Sequence, residues 1–257
     1  MNRDFKGKVV LVMSISNSEG LSIAKEFAKA GSQLIIADID DKRLKYAKKK
    51  LEAFGKNIKT YKVDISKELE VKSMVNWVKQ EFAGINILVN NFKVSNLNKT
   101  SENPISKLNK IFNLNFMETF KYINGFLPLI VDQDNAQIIN IANGKTSYKF
   151  SALRAYLSVK LSMEASSKVL SFELNKYDIK VTTIYPFYSK TPQKIGKMIF
   201  NSVKSGRSFD PTSIFNDMGV IVKILPTIAN SFSYKAKSVL RKKFAVLTSS
   251  VIIQDIL

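Results

Sequence analysis

The sequence predicts a doubly wound α/β fold, a parallel sheet with helices on both faces. Three observations predict it. Apolar runs of strand length alternate with longer segments of helical period. A chain of 257 residues, 45% hydrophobic and 24% charged, suits a single domain with a large core. No internal repeat and no low-complexity linker divides it.

The elements follow in order. Val9–Met13 is the first strand. From about Leu21 to Ala30 a helix puts Leu21, Ala24, Phe27 and Ala28 on one face. Leu34–Ala37 is the second strand, about Lys42–Phe54 the second helix, Ile58–Val63 the third strand and Glu68–Phe82 the third helix. Ile87–Val89 is the fourth strand, followed by a long helical stretch near Ile105–Leu127. Gln137–Ile141 is the fifth strand, Leu153–Leu174 a second long helix and Ile179–Ile184 the sixth strand. After Pro192 the alternation ends. Such an order gives a Rossmann-type sheet. Residues 1–192 are read as its core and 193–257 as a C-terminal extension of the same domain.

Composition removes several chemistries. There is no cysteine, so disulfides, thiolate catalysis and thiolate metal sites are excluded. There is no histidine, which removes Ser-His-Asp catalysis, a histidine base and histidine ligands, and no metal site is expected. Tyrosine, lysine and the carboxylates remain as proton carriers. The net charge of +19 fits an anionic partner, or lysines spread over solvated faces. Their even spread, with no zinc-finger spacing and no Gly-rich basic tail, speaks against nucleic acid. No apolar stretch approaches the ~20 residues of a membrane-spanning helix. The run at Val9–Met13 is too short for a secretory signal, which points to the cytoplasm.

The first strand runs into the turn Met13-Ser14-Ile15-Ser16-Asn17-Ser18-Glu19-Gly20 and then a helix. Backbone N–H groups at such a turn and at the helix N-terminus bind phosphate. The stretch equally fits a plain Ser/Asn turn capping a helix. Asp38 ends the second strand, 18 residues beyond Gly20. An acid there accepts from both hydroxyls of an adenosine ribose and repels a 2′-phosphate, which favours NAD over NADP. It also fits an aspartate that starts the next helix, since Asp40 and Asp41 follow. Tyr156 and Lys160, at i and i+4 on a helix, share a face. An ammonium beside a phenol stabilises the phenolate and readies it for proton exchange with a carbonyl or alcohol oxygen.

Roughly residues 5–192 resemble the short-chain dehydrogenase/reductase family in order and register, most closely from Arg154 to Pro192. The turn resembles the family's TGxxxGxG, with Ser14 and Ser18 at two glycine positions and Gly20 kept. A serine there adds a Cβ, and a positive φ costs on the order of 1 kcal/mol. The resemblance implies a dinucleotide held by Ser14, Ser16, Asn17, Ser18, Gly20, Asp38, Asp64, Asn90, Pro186 and Thr191, with Tyr156 and Lys160. Asp64 matches the adenine-contacting acid, and Asn90 the first half of NNAG, whose second half is here Phe92 and Lys93. Thr191 matches the threonine that holds the nicotinamide carboxamide, and Phe187 replaces the glycine after Pro186. Tyr156, Lys160 and Asn115 match the catalytic tyrosine, lysine and relay-water asparagine. The catalytic serine, expected 13 residues before the tyrosine, is Asn143. Its amide can donate to a substrate oxygen from a longer arm.

The implied activity is hydride transfer between nicotinamide and a lipophilic ketone or secondary alcohol, with NAD preferred to NADP. The alternative is a short-chain dehydrogenase fold kept for binding or scaffolding, favoured by Ser14, Ser18, Phe187 and Asn143. The two long helices are expected to make a homo-oligomer contact. Ile199–Arg207 resembles the family's C-terminal helix, and Ile221–Phe232 the apolar tail of members that handle lipophilic substrates or associate with membranes. From Gly219 to Gln254 there is no acidic residue, so the tail fits anionic lipid, a pocket lid or an oligomer contact.

Overall fold

The computed structural model describes residues 5–91, 113, 117–141, 163, 166–184 and 191–206. Six parallel strands form one sheet: β1 (Val9–Met13), β2 (Gln33–Asp38), β3 (Ile58–Lys62), β4 (Ile87–Asn90), β5 (Gln137–Ile141) and β6 (Lys180–Ile184), in the order β3-β2-β1-β4-β5-β6. The order reverses between β1 and β4, and the carboxyl ends of strands beside that reversal are where an open α/β sheet binds ligands.

Helices cover both faces. They are α1 (Ser18–Lys29), α2 (Asp41–Leu51), α3 (Glu68–Phe82), α4 (Glu118–Phe126), α5 (166–174) and α6 (Pro192–Ser205). Strand side chains alternate in direction, so each strand feeds two cores. Val10, Val12, Leu34, Ile36, Val89 and Ile139 pack with Ile23 and Phe27 of α1, Leu44 of α2 and Ile195 and Ile199 of α6. Leu11, Met13, Ile35, Leu88, Ile138 and Val181 pack on the other face with Met74 and Val78 of α3, Tyr122 and Phe126 of α4 and Leu174 of α5.

Among the described residues the sequence-predicted elements are present, with ends moved where capping decides them. Asn17 caps α1 by accepting the Gly20 N–H, so the helix begins at Ser18 rather than Leu21. α3 and β5 have the expected bounds. α6 starts at Pro192, whose missing N–H costs nothing in a first turn, and stops where Gly206 turns left-handed at φ 63°. This helix is built into the core. Gly196 lies so close to α1 that a Cβ would sit 2.6 Å from the Ser22 carbonyl oxygen. Most of the first predicted long helix and the N-terminal half of the second lie outside the described residues. Among described residues, no helix is long and apolar enough to cross a membrane.

Candidate functional site

The carboxyl ends of β1, β2 and β4 meet in one polar cluster built on the turn after β1. Ser14 opens this turn with φ 55°, a left-handed conformation in which a serine is strained. Its carbonyl oxygen accepts from Asn91 Nδ2 at 3.0 Å and from Asn17 Nδ2 at 3.4 Å. Asn91 Nδ2 also reaches Asn17 Oδ1 at 3.2 Å, and that oxygen accepts the Gly20 N–H at 2.7 Å. Gly20 is a glycine for lack of space. A Cβ there would lie 2.7 Å from the Ser14 oxygen and 2.8 Å from Asn91 Nδ2. The expected positive φ therefore occurs at Ser14, whereas Ser18 is the first residue of α1 and is not among the positive-φ residues.

Asp38, 7% exposed, ties β2 to this turn. Its Oδ2 accepts the Ser16 N–H at 2.8 Å and its Oδ1 the Asp40 N–H at 3.2 Å. Each carboxylate oxygen keeps a further lone pair for an incoming hydroxyl. On the rim, Arg43 Nε pairs with Asp40 at 3.3 Å and its Nη1 donates toward the Ser16 carbonyl at 3.5 Å. Asp64, just past β3, accepts from Ser66 N–H at 3.0 Å and Ser66 Oγ at 2.7 Å. Its own N–H donates to Glu70 at 2.8 Å, and Glu70 is held below the usual carboxylate range by hydrogen bonds from Lys67 and that N–H.

Asn90 and Asn91 are adjacent and point opposite ways. Asn91 is fully buried and clamps the turn, a role that the sequence reading missed; the Asn-Asn doublet at a strand end is its signal. Asn90 Nδ2 donates to Asn140 Oδ1 at 2.9 Å, and Asn140 Nδ2 donates to Ser167 Oγ at 3.0 Å. Neither Asn140 nor Ser167 was singled out in the sequence. Thr191 caps α6 by accepting the Lys194 N–H at 3.4 Å.

Two buried oxygens in this region have no partner, Ser16 Oγ and Asn90 Oδ1. With the α1 N-terminus and the Asp38 carboxylate they form a donor and acceptor set that fits a dinucleotide. The small cavity of about 80 Å³ among Phe5, Lys8, Asn86 and Gln137 lies at the opposite, amino edge of the sheet. It is well below the ~300 Å³ at which ligand pockets begin. No metal-binding cluster occurs among the described residues. The structure thus brings together Ser14, Ser16, Asn17, Ser18, Gly20 and Asp38, with Asp64 and Asn90 at the ends of flanking strands. Tyr156, Lys160, Asn115, Asn143, Pro186 and the basic tail lie outside the described residues.

A family model described as short chain dehydrogenase matches residues 8–198. The chain belongs to the short-chain dehydrogenase family. It is 26% identical over 262 residues to estradiol 17-beta-dehydrogenase 11 of Homo sapiens, across 96% of this chain and 86% of that one. It is also 26% identical over 200 residues to a fatty acyl-CoA reductase of Acinetobacter baylyi, across 77% and 68% of the two chains. Among solved structures, a metagenomic short-chain oxidoreductase in complex with NADP matches with TM-score 0.70 at 19% identity, covering 80% of this chain and 95% of that one. L-Sorbose reductase of Gluconobacter frateurii, complexed with NADPH and L-sorbose, matches with TM-score 0.70 at 21% identity, covering 82% and 97%. The solved structures establish the fold, and the family match establishes an oxidoreductase lineage.

Proposed function

We propose that this short-chain dehydrogenase interconverts a lipophilic ketone and a secondary alcohol, with NAD preferred to NADP. The observation that carries the reading is Asp38, whose buried carboxylate closes the β1 turn from the end of β2. A fixed negative charge there accepts from vicinal hydroxyls and repels a 2′-phosphate. Arg43 acts in the other direction, and its pairing with Asp40 limits that effect. The lipophilic substrate class is supported by the names of the estradiol dehydrogenase and fatty acyl-CoA reductase relatives.

When bound, nicotinamide supplies or accepts the hydride. The chain's residues do the rest. Tyr156 passes a proton to or from the substrate oxygen. Lys160 holds the ribose hydroxyls and keeps the phenol acidic. Asn115 holds a relay water, Asn143 donates an amide hydrogen to the substrate oxygen, and Pro186 and Thr191 bound the carboxamide. A dimer through the two long helices accounts for exposed Met117, Val169 and Phe172, the last 82% exposed.

The test is a fluorescence titration of the purified protein with NADH and NADPH. NADH should bind more tightly, and Asp38→Ala should weaken it and narrow the difference. Tighter NADPH binding by the unmodified protein overturns the preference. The second reading, a fold that binds dinucleotide without turnover, is favoured by Asn143 in place of the expected serine. It prevails if NADH binds and a broad screen of hydrophobic ketones and alcohols gives no turnover, even with Asn143→Ser.

A further inference from the structure

We propose that Ser167 and Asn140 are positioning residues: their hydrogen bond sets the rotation of the helix to which Tyr156 and Lys160 belong by sequence, and so turns that pair toward the carboxyl edge of the sheet. The inference rests on the acid–base reading of Tyr156. On α5, Ser167 and Leu174 are buried and Leu170 packs against the same core, while Lys168, Val169, Phe172 and Glu173 are exposed. The inward stripe therefore runs 167, 170, 174. Counted toward the N-terminus at the same alternating spacing, the sequence reaches Met163, which is helical and partly buried, and then positions 160 and 156, Lys160 and Tyr156. Eleven residues separate Tyr156 from Ser167. That is three helical turns to within roughly 20°. The stripe that Ser167 anchors is thus the stripe on which the sequence puts the catalytic pair.

Leucine contacts alone do not set this rotation sharply, because dispersion has no preferred direction. A hydrogen bond does, because it weakens steeply as it bends. Ser167 Oγ accepts from Asn140 Nδ2 at 3.0 Å, and Asn140 is itself held by Asn90 Nδ2 at 2.9 Å. All three side chains are buried. Asn90 and Asn140 are paired across β4 and β5, so the relay is anchored in the sheet. Turning the helix by one residue, about 100°, would break the bond and leave the Asn140 amide unpaired and buried. The relay also reaches the two strands that lead to the cofactor site: β4 continues into Asn91, and β5 runs on toward Asn143.

The test uses the full chain with Ser167→Thr and Ser167→Val, a near-isosteric pair of which only threonine keeps the acceptor. Tyrosine ionisation is followed by ultraviolet absorbance, and the part missing from Tyr156→Phe is assigned to Tyr156. The unmodified protein and Ser167→Thr should show this phase below the ordinary tyrosine value near 10. Ser167→Val should move it upward, lowering the phenolate fraction about threefold or more at a given pH, and should weaken NADH binding with it. If Ser167→Val does not fold, Ser167→Ala carries the same comparison. A phase that is present but unmoved by loss of the acceptor, or moved equally by threonine and valine, overturns the relay and leaves the acid–base reading standing. Absence of any Tyr156-dependent phase below the ordinary value from the unmodified protein overturns that reading and the relay with it.

Discussion

The two faces of the sheet differ most at the carboxyl end, beside the candidate site. Toward α1, α2 and α6 the last rungs of β4 and β5 are apolar, with Val89, Ile139 and Ile141 all buried. Toward α3, α4 and α5 the last shared rung turns polar, as Asn90, Asn140 and Thr183 lie in register across β4, β5 and β6. Polar groups placed there need partners, and the relay to Ser167 supplies them for Asn140 and for the Asn90 amide nitrogen, while Asn90 Oδ1 and Thr183 Oγ1 have none among the described residues. The first face is closed by close backbone contact between α1 and α6 and, at its amino end, by the bond from Gln137 Nε2 of β5 to the Val203 carbonyl of α6 at 3.1 Å; the second is closed by hydrogen bonds gathered at its carboxyl end. A face held by hydrogen bonds specifies rotation, which a catalytic pair needs.

The largest expected effect concerns the proposed catalytic pair, which the relay on the second face would orient. Once a screen of hydrophobic ketones and alcohols has found turnover, Tyr156→Phe should lower kcat at least ~100-fold, the low end for loss of a positioned proton donor. NADH affinity should hardly change, because the phenol serves the substrate. Lys160→Met should damage both binding and turnover. A kcat that survives Tyr156→Phe overturns the proposed proton transfer and leaves the relay nothing to orient.

Next in size is a pair of glycines, one on each face. At Gly196 a Cβ would lie 2.6 Å from the Ser22 oxygen and 2.7 Å from its carbonyl carbon, backbone atoms that cannot swing away. Gly196→Ala should cost about 3 kcal/mol by denaturant unfolding, the upper end for overpacking. At Gly125 on α4 a Cβ would meet only Val71 and Val75, at 3.6 and 3.8 Å, which is ordinary contact. Gly125→Ala should stabilise by about 0.5–1 kcal/mol through helix propensity. Equal effects at the two sites would show that the faces are not packed differently.

How legible this was in the sequence depends on the range of the interaction. The central strands showed because burial on both sides makes them apolar runs, as in Val9–Met13, whereas the edge strand β3 is half exposed and alternates. Gly20 and Asp38 showed because a strand, a turn and a helix lie within one short stretch. Asn91, Asn140 and Ser167 did not, because their partners are 77, 50 and 27 residues away in sequence. An asparagine inside Gln137–Ile141 is an exception to the pattern, and only the neighbouring strand says why it is there. The start of α1 was placed late because a polar first turn, Ser18-Glu19-Gly20, carries no apolar period.

A pH titration separates the faces by a smaller amount. Tyr122 is fully buried on the second face, packed on Phe126 at 4.8 Å between ring centroids, and burial pushes its phenol well above the ordinary value. The folded protein therefore keeps Tyr122 neutral while the unfolded chain ionises it above about pH 10. Its contribution is fully present below that pH and is lost as pH rises toward the folded value. The expected loss is about 1.4 kcal/mol by pH 11. Denaturant midpoints measured between pH 9 and 11 should fall less steeply in Tyr122→Phe (pH range chosen about the reference value). An unchanged slope would mean that alkaline loss arises elsewhere.

The smallest expected effect concerns the turn that both faces share. Ser14 holds φ 55°, and a left-handed conformation costs a side-chain-bearing residue about 1–2 kcal/mol. Replacing it with glycine removes that strain but adds freedom to the unfolded chain, which offsets about 0.5–1 kcal/mol. Ser14→Gly should therefore stabilise by about 0.5–1 kcal/mol in denaturant unfolding. Ser18 is the contrast. It stands at the first residue of α1, outside the left-handed region, so Ser18→Gly relieves nothing and should be neutral or destabilising. The Ser14 carbonyl is held by Asn91 and Asn17 whatever its side chain, so the hydrogen bonds survive the exchange. NADH affinity should rise with Ser14→Gly if the serine Cβ crowds the pyrophosphate, and stay level if strain affects folding alone. Equal gains in stability from Ser14→Gly and Ser18→Gly would show that the strain is not local to Ser14, and that the turn rather than either face limits the stability of this edge.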